Sequence, residues 1–146
     1  MSTPARPRVL VADFMNHRRL ALLAALQPAF DPEPPPPGVD LLRHARASRP
    51  DMAVLFVHPW RPQKALKQCR WLKTDLHPIE RVAVVNLDGP PRDPADVLEG
   101  YQADGYWQGG ATPEEVAAFL VRVWRGEKPV EIRGSAMGLL ARWLGR

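Results

Sequence analysis

The chain has 146 residues, 45% hydrophobic and 25% charged, with 17 Pro, 10 Gly and a single Cys. That length fits one domain with a sizeable core and is too short for two full ones. One Cys excludes an intramolecular disulfide, and no apolar stretch approaches the length of a membrane-spanning helix. The first eight residues are basic but lead into no apolar run of signal-peptide length. The chain therefore reads as soluble and cytoplasmic.

Charge is unevenly spread. The net charge is +4, with an isoelectric point near 9.7. Residues 41–81 hold nine basic and three acidic groups, whereas residues 82–119 hold one basic and seven acidic. Kept apart by a fold, such blocks would give a positive and a negative side able to steer charged partners.

In chain order, Arg8 to Ala12 reads as a buried strand. Asn16 can cap a helix in which Leu20, Leu23 and Leu26 recur at helical spacing, and Pro28 stops it. Asp31 to Pro37 contains too many prolines for a central strand and is expected as an edge strand or polyproline segment. A helix from Leu41 to Ser48 follows. Asp51 to Val57 is the most strand-like run. His58 to Pro62 is a loop, with Pro62 suited to the first turn of a helix from Gln63 to Lys73. Val82 to Leu87 reads as a strand and Asp88 to Pro91 as a loop. A helix from Pro94 to about Gln102, capped near Asp93, leads to a short strand from Gly105 to Gln108. Thr112-Pro113-Glu114-Glu115 is a capping box, and Val116, Phe119, Leu120 and Val123 line one face of the helix it opens. Lys128 to Gly134 is expected as a linker. Ser135 to Arg146 can form a short amphipathic helix, with Met137, Leu140 and Leu144 on one face and Leu139 and Trp143 widening it. Its own domain, a partner groove or an anionic membrane could each receive it. Strands that alternate with helices imply a parallel sheet covered on both faces.

The order of pieces from Arg8 to Arg125 resembles the receiver domain of bacterial response regulators. Arg8-Val9-Leu10-Val11-Ala12-Asp13 is similar to the first receiver strand. Pro50-Asp51-Met52-Ala53-Val54-Leu55-Phe56 is similar to the approach to the phosphoacceptor. Leu98 to Trp107 is similar to the fourth helix running into the fifth strand, and Thr112 to Val116 to the opening of the fifth helix. The resemblance implies a flavodoxin-like (CheY-like) α/β fold, a doubly wound five-stranded parallel sheet in the order 2-1-3-4-5. It divides the chain into a disordered 1–7, a receiver-like domain over 8–126, and a linker and tail over 127–146.

Receivers move a phosphoryl group onto an aspartate with the help of Mg²⁺, a hard cation that prefers carboxylate oxygens. The resemblance places the family's acidic pair on Asp13 and Phe14, its phosphoacceptor on Phe56, its hydroxyl at or near Asn86 and its lysine on Gly109. Four of these five positions lack the required chemistry, which points to a pseudo-receiver. Phe14 and Phe56 would then fill the former pocket with apolar packing, or line a greasy pocket open to a ligand. No enzyme signature, metal motif or cofactor loop is found. Asp13, His58 and Asp88 are suitable ligand types without motif spacing, and Cys69 reads as a small core residue.

The implied role is a phosphorylation-independent adaptor in bacterial signal transduction. Its protein contacts would lie on the face formed by the family's fourth helix, fifth strand and fifth helix, at Val97, Tyr101, Tyr106, Trp107, Gln108 and Arg122. Tyr106 falls at the switch aromatic and is expected to present a fixed surface. Leu140, Trp143 and Leu144 of the tail would add to the contacts, and a homodimer through the same face is open. The competing reading is a nucleic-acid or anionic-lipid binder that uses Arg43, Arg46, Lys64, Lys67, Arg70 and Trp71 together with the basic tail.

Overall fold

The computed structural model describes residues 6–12 and 16–133. Six strands form one sheet: β1 (Arg8–Ala12), β2 (Asp31–Glu33), β3 (Met52–Phe56), β4 (Arg81–Asn86), β5 (Gly105–Gln108) and β6 (Val130–Ile132). The order is β2-β1-β3-β4-β5-β6, and every pairing is parallel. The order through β5 matches the expectation. The sixth strand does not, since the sheet was expected to end at five and the segment Lys128 to Gly134 to be a linker. Tyr106 N–H donates to Pro129 O at 3.0 Å and Arg133 N–H to Gln108 O at 2.7 Å, which zips that segment onto β5.

Four helices cover the sheet: α1 (Asn16–Leu26), α2 (Leu41–Ser48), α3 (Pro62–Thr74) and α4 (Pro113–Trp124). α1 packs against α4 on one face, and α2 against α3 on the other. The central strands are apolar along their length because both faces are buried. Met52, Val54 and Phe56 join Leu22, Leu26, Trp107, Phe119 and Leu120 in the core under α1 and α4. Ala53, Leu55 and Val57 join Leu66, Cys69, Leu72 and Tyr106 in the core under α2 and α3. β2 is short and lies at the edge, where Pro32 removes no ladder bond from a central strand. Ordered contact begins before Arg8, since Pro7 O accepts Asp31 N–H at 2.8 Å.

The caps follow the sequence. Thr112 Oγ1 accepts Glu115 N–H at 3.1 Å, and the Glu115 carboxylate accepts Thr112 N–H at 3.0 Å. The Asp40 carboxylate accepts Arg43 N–H at the start of α2. The helix expected over Pro94 to Gln102 is cut down to helical residues 94–100, of which Asp96–Gly100 form a single π turn. Tyr101 N–H closes that turn on Asp96 O, and Gln102 already has a positive φ of 61°. Cys69 is a core residue, as its spacing predicts. Its thiol donates to Tyr101 O at 3.4 Å, and burial pushes its pKa up to about 12.

Candidate functional site

The carboxyl ends of β1, β3, β4 and β5 lie side by side, because the ladder pairs Ala12 with Leu55, Phe56 with Val85 and Asn86 with Gln108. The fold therefore brings Phe56, Asn86 and Gly109 to one end of the sheet, the location to which the resemblance assigns phosphoryl chemistry. Asp13 and Phe14 lie outside the described residues, as do Leu140, Trp143 and Leu144.

Phe56 is 6% exposed and belongs to the core under α1 and α4. It also walls a cleft of about 290 Å³, with Ala12, Leu41, His58, Lys64 and Gln68 among the other lining residues. A phenyl ring here provides apolar burial and no nucleophilic oxygen. His58 Nδ1 accepts Trp60 N–H at 3.1 Å, and the two rings lie 5.4 Å apart at a tilt of 57°.

Asn86 is buried at the end of β4, and its amide is fully used. Its Nδ2 donates to Pro90 O at 2.9 Å and to Tyr106 Oη at 3.1 Å, while its Oδ1 accepts Gly89 N–H at 2.8 Å. Tyr106 Oη donates onward to Gln108 Oε1 at 2.9 Å, which also accepts Arg92 N–H at 3.0 Å. These bonds tie the 88–92 loop to the ends of β4 and β5. A buried network with every partner in place is rigid. Burial holds the Tyr106 hydroxyl above its ordinary pKa, against the opposing pull of Asn86. The roles of Pro90 O and Arg92 N–H were not visible in the sequence. The one signal was a pair of amides, Asn86 and Gln108, closing otherwise apolar strands.

Gly109 has a φ of +107°, and a Cβ there would stand 2.6 Å from Arg133 O and 2.7 Å from Arg133 Cβ. The backbone that leaves β6 thus occupies the space a lysine at this position would need. Arg133 continues past Gly109 to lie over the Trp107 indole, 4.9 Å from its centroid, and pairs with Glu115 at 3.0 Å.

The residues expected to form a protein-contact face are mostly interior, which corrects that expectation. Val97 and Tyr106 are fully buried, and Trp107 and Gln108 nearly so. β6 covers the edge of β5, Trp107 meets Phe119 edge-on at 5.5 Å, and Tyr106 is drawn inward by its hydroxyl. Tyr101 is half-buried and donates to Gln63 Oε1 at 3.2 Å. Arg122 is exposed but committed to Glu127 at 3.2 Å and Glu131 at 3.5 Å.

Arg43 and Arg46 lie on α2, and Lys64, Lys67, Arg70 and Trp71 on α3, two helices that pack against each other. Arg46 is not available there, because it pairs with Asp75 at 2.8 Å. That bond holds the guanidinium above, and the carboxyl below, its ordinary pKa. Three of the seven acids in the 82–119 block are ion-paired. Asp104 pairs with Lys73 at 2.8 Å, Asp96 with Arg92 at 3.6 Å and Glu115 with Arg133.

No described helix is long and apolar enough to cross a membrane. No family model matches the chain. No curated protein matches it either. Solved structures do match. The chemotaxis response regulator CheY4 of Vibrio cholerae is similar with a TM-score of 0.64 at 18% identity, over 82% of this chain and 99% of that one. The receiver domain of a signal transduction histidine kinase from Syntrophus aciditrophicus is similar with a TM-score of 0.65 at 22% identity, over 84% and 92%. The response regulator DrrB of Thermotoga maritima is similar with a TM-score of 0.62 at 24% identity. That match covers 84% of this chain and 54% of DrrB, so the chain spans about half the length of that protein. The strand order, the two helical layers and these likenesses agree: the chain has the CheY-like fold of response-regulator receiver domains.

Proposed function

We propose that this chain is a pseudo-receiver, a receiver fold that takes no phosphoryl group and serves as a protein-interaction module in bacterial signal transduction. The observation that carries the reading is Gly109. The family's lysine position has lost its side chain, and the backbone of β6 and Arg133 has moved into the space. Phe56 supports it, since the nucleophile position is an aromatic ring packed in the core. Asn86 and Tyr106 support it too. The residues at the hydroxyl and switch-aromatic positions are bonded to each other and to the 88–92 loop, so the elements that would report phosphorylation are tied down. No catalytic residue is assigned. A protein partner at the sheet edge, a second copy included, would meet β6 and the half-buried Tyr101 in place of an open fifth strand.

Intact-mass measurement after incubation with Mg²⁺ and acetyl phosphate tests the reading. The mass is expected to stay unchanged. An acid-labile phosphoryl adduct on Asp13 or Asp51 would overturn it.

A further inference from the structure

We infer that the outward face of α3 binds a single-stranded nucleic acid, with Trp60 and Trp71 stacking on bases and Lys64, Lys67 and Arg70 holding phosphates. This goes beyond the adaptor reading and does not depend on it.

From Met52 to Thr74 the chain contains no Asp or Glu. α3 buries Ala65, Leu66, Cys69 and Leu72 against the sheet, so helical geometry turns Lys64, Lys67 and Trp71 (i, i+3, i+7) to the outside. Among the described residues, none of Lys64, Lys67 and Arg70 forms an ion pair. Lys73 of the same helix and Arg46 of its neighbour differ in this respect: Lys73 is tied to Asp104, and Arg46 to Asp75. Trp71 is 52% exposed and Trp60, just before the helix, is 82% exposed. Trp60 lies two residues before α3 and Trp71 nine residues into it, about 14 Å along the axis from Pro62, with Lys64 and Lys67 between the two indoles in sequence.

The chemistry selects among anionic partners. A lipid surface needs a continuous apolar face, and α3 has already spent its apolar face on the core. A protein hot spot needs a dry apolar centre with charge at the rim, whereas here cations separate Trp60 from Trp71 along the sequence. Alternating aromatic and cationic side chains match the alternation of bases and phosphates in an unpaired strand. Exposed guanidinium and ammonium groups also gain most from phosphates, by releasing condensed counterions.

Anisotropy titrations of fluorescein-labelled oligo(dT) and oligo(rU) with the full chain test this, and the two oligonucleotides separate DNA from RNA. Binding is expected with quenching of tryptophan fluorescence, and log K should fall with log salt with a slope of about −2, from three phosphate contacts on a single strand. Lys64→Glu with Lys67→Glu should weaken binding at least ten-fold and flatten the slope. Trp71→Ala should weaken it roughly ten-fold and leave the slope unchanged. Arg125→Glu, on the opposite layer, should change nothing. The inference is overturned if neither oligonucleotide binds, or if the α3 variants bind like the parent. It also fails if poly-glutamate competes as well as the oligonucleotides, or if phosphatidylserine vesicles bind and oligonucleotides do not.

Discussion

Putting back the lysine that the receiver pattern calls for should damage this protein. In Gly109→Lys the new Cβ would stand 2.6 Å from Arg133 O, which is backbone and cannot rotate away. The φ of +107° is one that residues with side chains rarely adopt, at a cost of about 1–3 kcal/mol. To make room, Arg133 must move off β5 and give up its N–H bond to Gln108 O, worth about 1 kcal/mol. The total is about 2–4 kcal/mol, or roughly a 10 °C fall in Tm for a chain of this size. Urea unfolding followed by circular dichroism reads the change as a lower midpoint at constant slope. Gly109→Ala should cost nearly as much, since the first carbon of the side chain makes the clash and the charge does not. Gly110→Lys is the control, because a Cβ there meets nothing within 4 Å, and its effect should stay within about 0.5 kcal/mol. A Gly109→Lys protein as stable as the parent would refute the claim that β6 has closed this position.

Other perturbations probe the same frame. Phe56→Asp replaces a packed ring with a carboxylate and should cost about 3–5 kcal/mol by thermal unfolding, with a larger loss at pH 7 than at pH 4, where the new group can stay protonated. Asp104 Oδ2 accepts both Lys73 Nζ and Val82 N–H at 2.8 Å. Asp104→Ala should therefore cost about 2–3 kcal/mol in urea, and Asp104→Asn less, because an amide oxygen still accepts from Val82. Tyr106→Phe leaves Asn86 Nδ2 and Gln108 Oε1 short of a partner and should cost about 1–2 kcal/mol. Burial raises the Tyr106 pKa in the folded protein, so above about pH 10 the unfolded chain loses this proton first. Stability should then decline with rising pH in the parent, and decline less in Tyr106→Phe.

The fold was legible where periodicity and stop signals agree, and the contact face was not. Val9 to Ala12, Met52 to Val57 and Val82 to Val85 are continuous apolar runs between polar ends, which only strands buried on both faces require. Thr112 to Glu115 announces α4 through two reciprocal bonds that both form. β6 gave no such signal. Val-Glu-Ile is three residues long, follows a proline and leaves Val130 and Ile132 40% and 49% exposed, so its pairing rests on an open edge that only the folded sheet supplies. The surface expectation for Tyr106, Trp107 and Gln108 assumed that β5 was the edge, and it failed once β6 took that place. The shortened helix at residues 94–100 was hidden for a related reason. Beyond its end Asp104 turns in to Lys73 of α3, a contact across the layer rather than along the chain.

These substitutions are coupled through β6. Only a glycine at 109 lets Arg133 pass, only that passage lets Arg133 cover Trp107, and the covered β5 keeps Gln108 in register with Asn86 and Tyr106 in register with Val84. Phe56→Asp combined with Gly109→Lys is therefore expected to stay unphosphorylated as well as unstable. Position 14 would still lack a carboxylate for Mg²⁺, and Asn86 would still direct its amide to Pro90 and Tyr106 instead of offering a hydroxyl. The charge bill points the same way, since a phosphoryl group on residue 56 brings about two negative charges to the apolar end of the sheet. Acetyl phosphate and Mg²⁺ with mass readout decide the matter. A phosphoryl adduct on the doubly reverted chain would mean that the carboxylate and lysine alone suffice, and that the closure of this site by β6 is reversible.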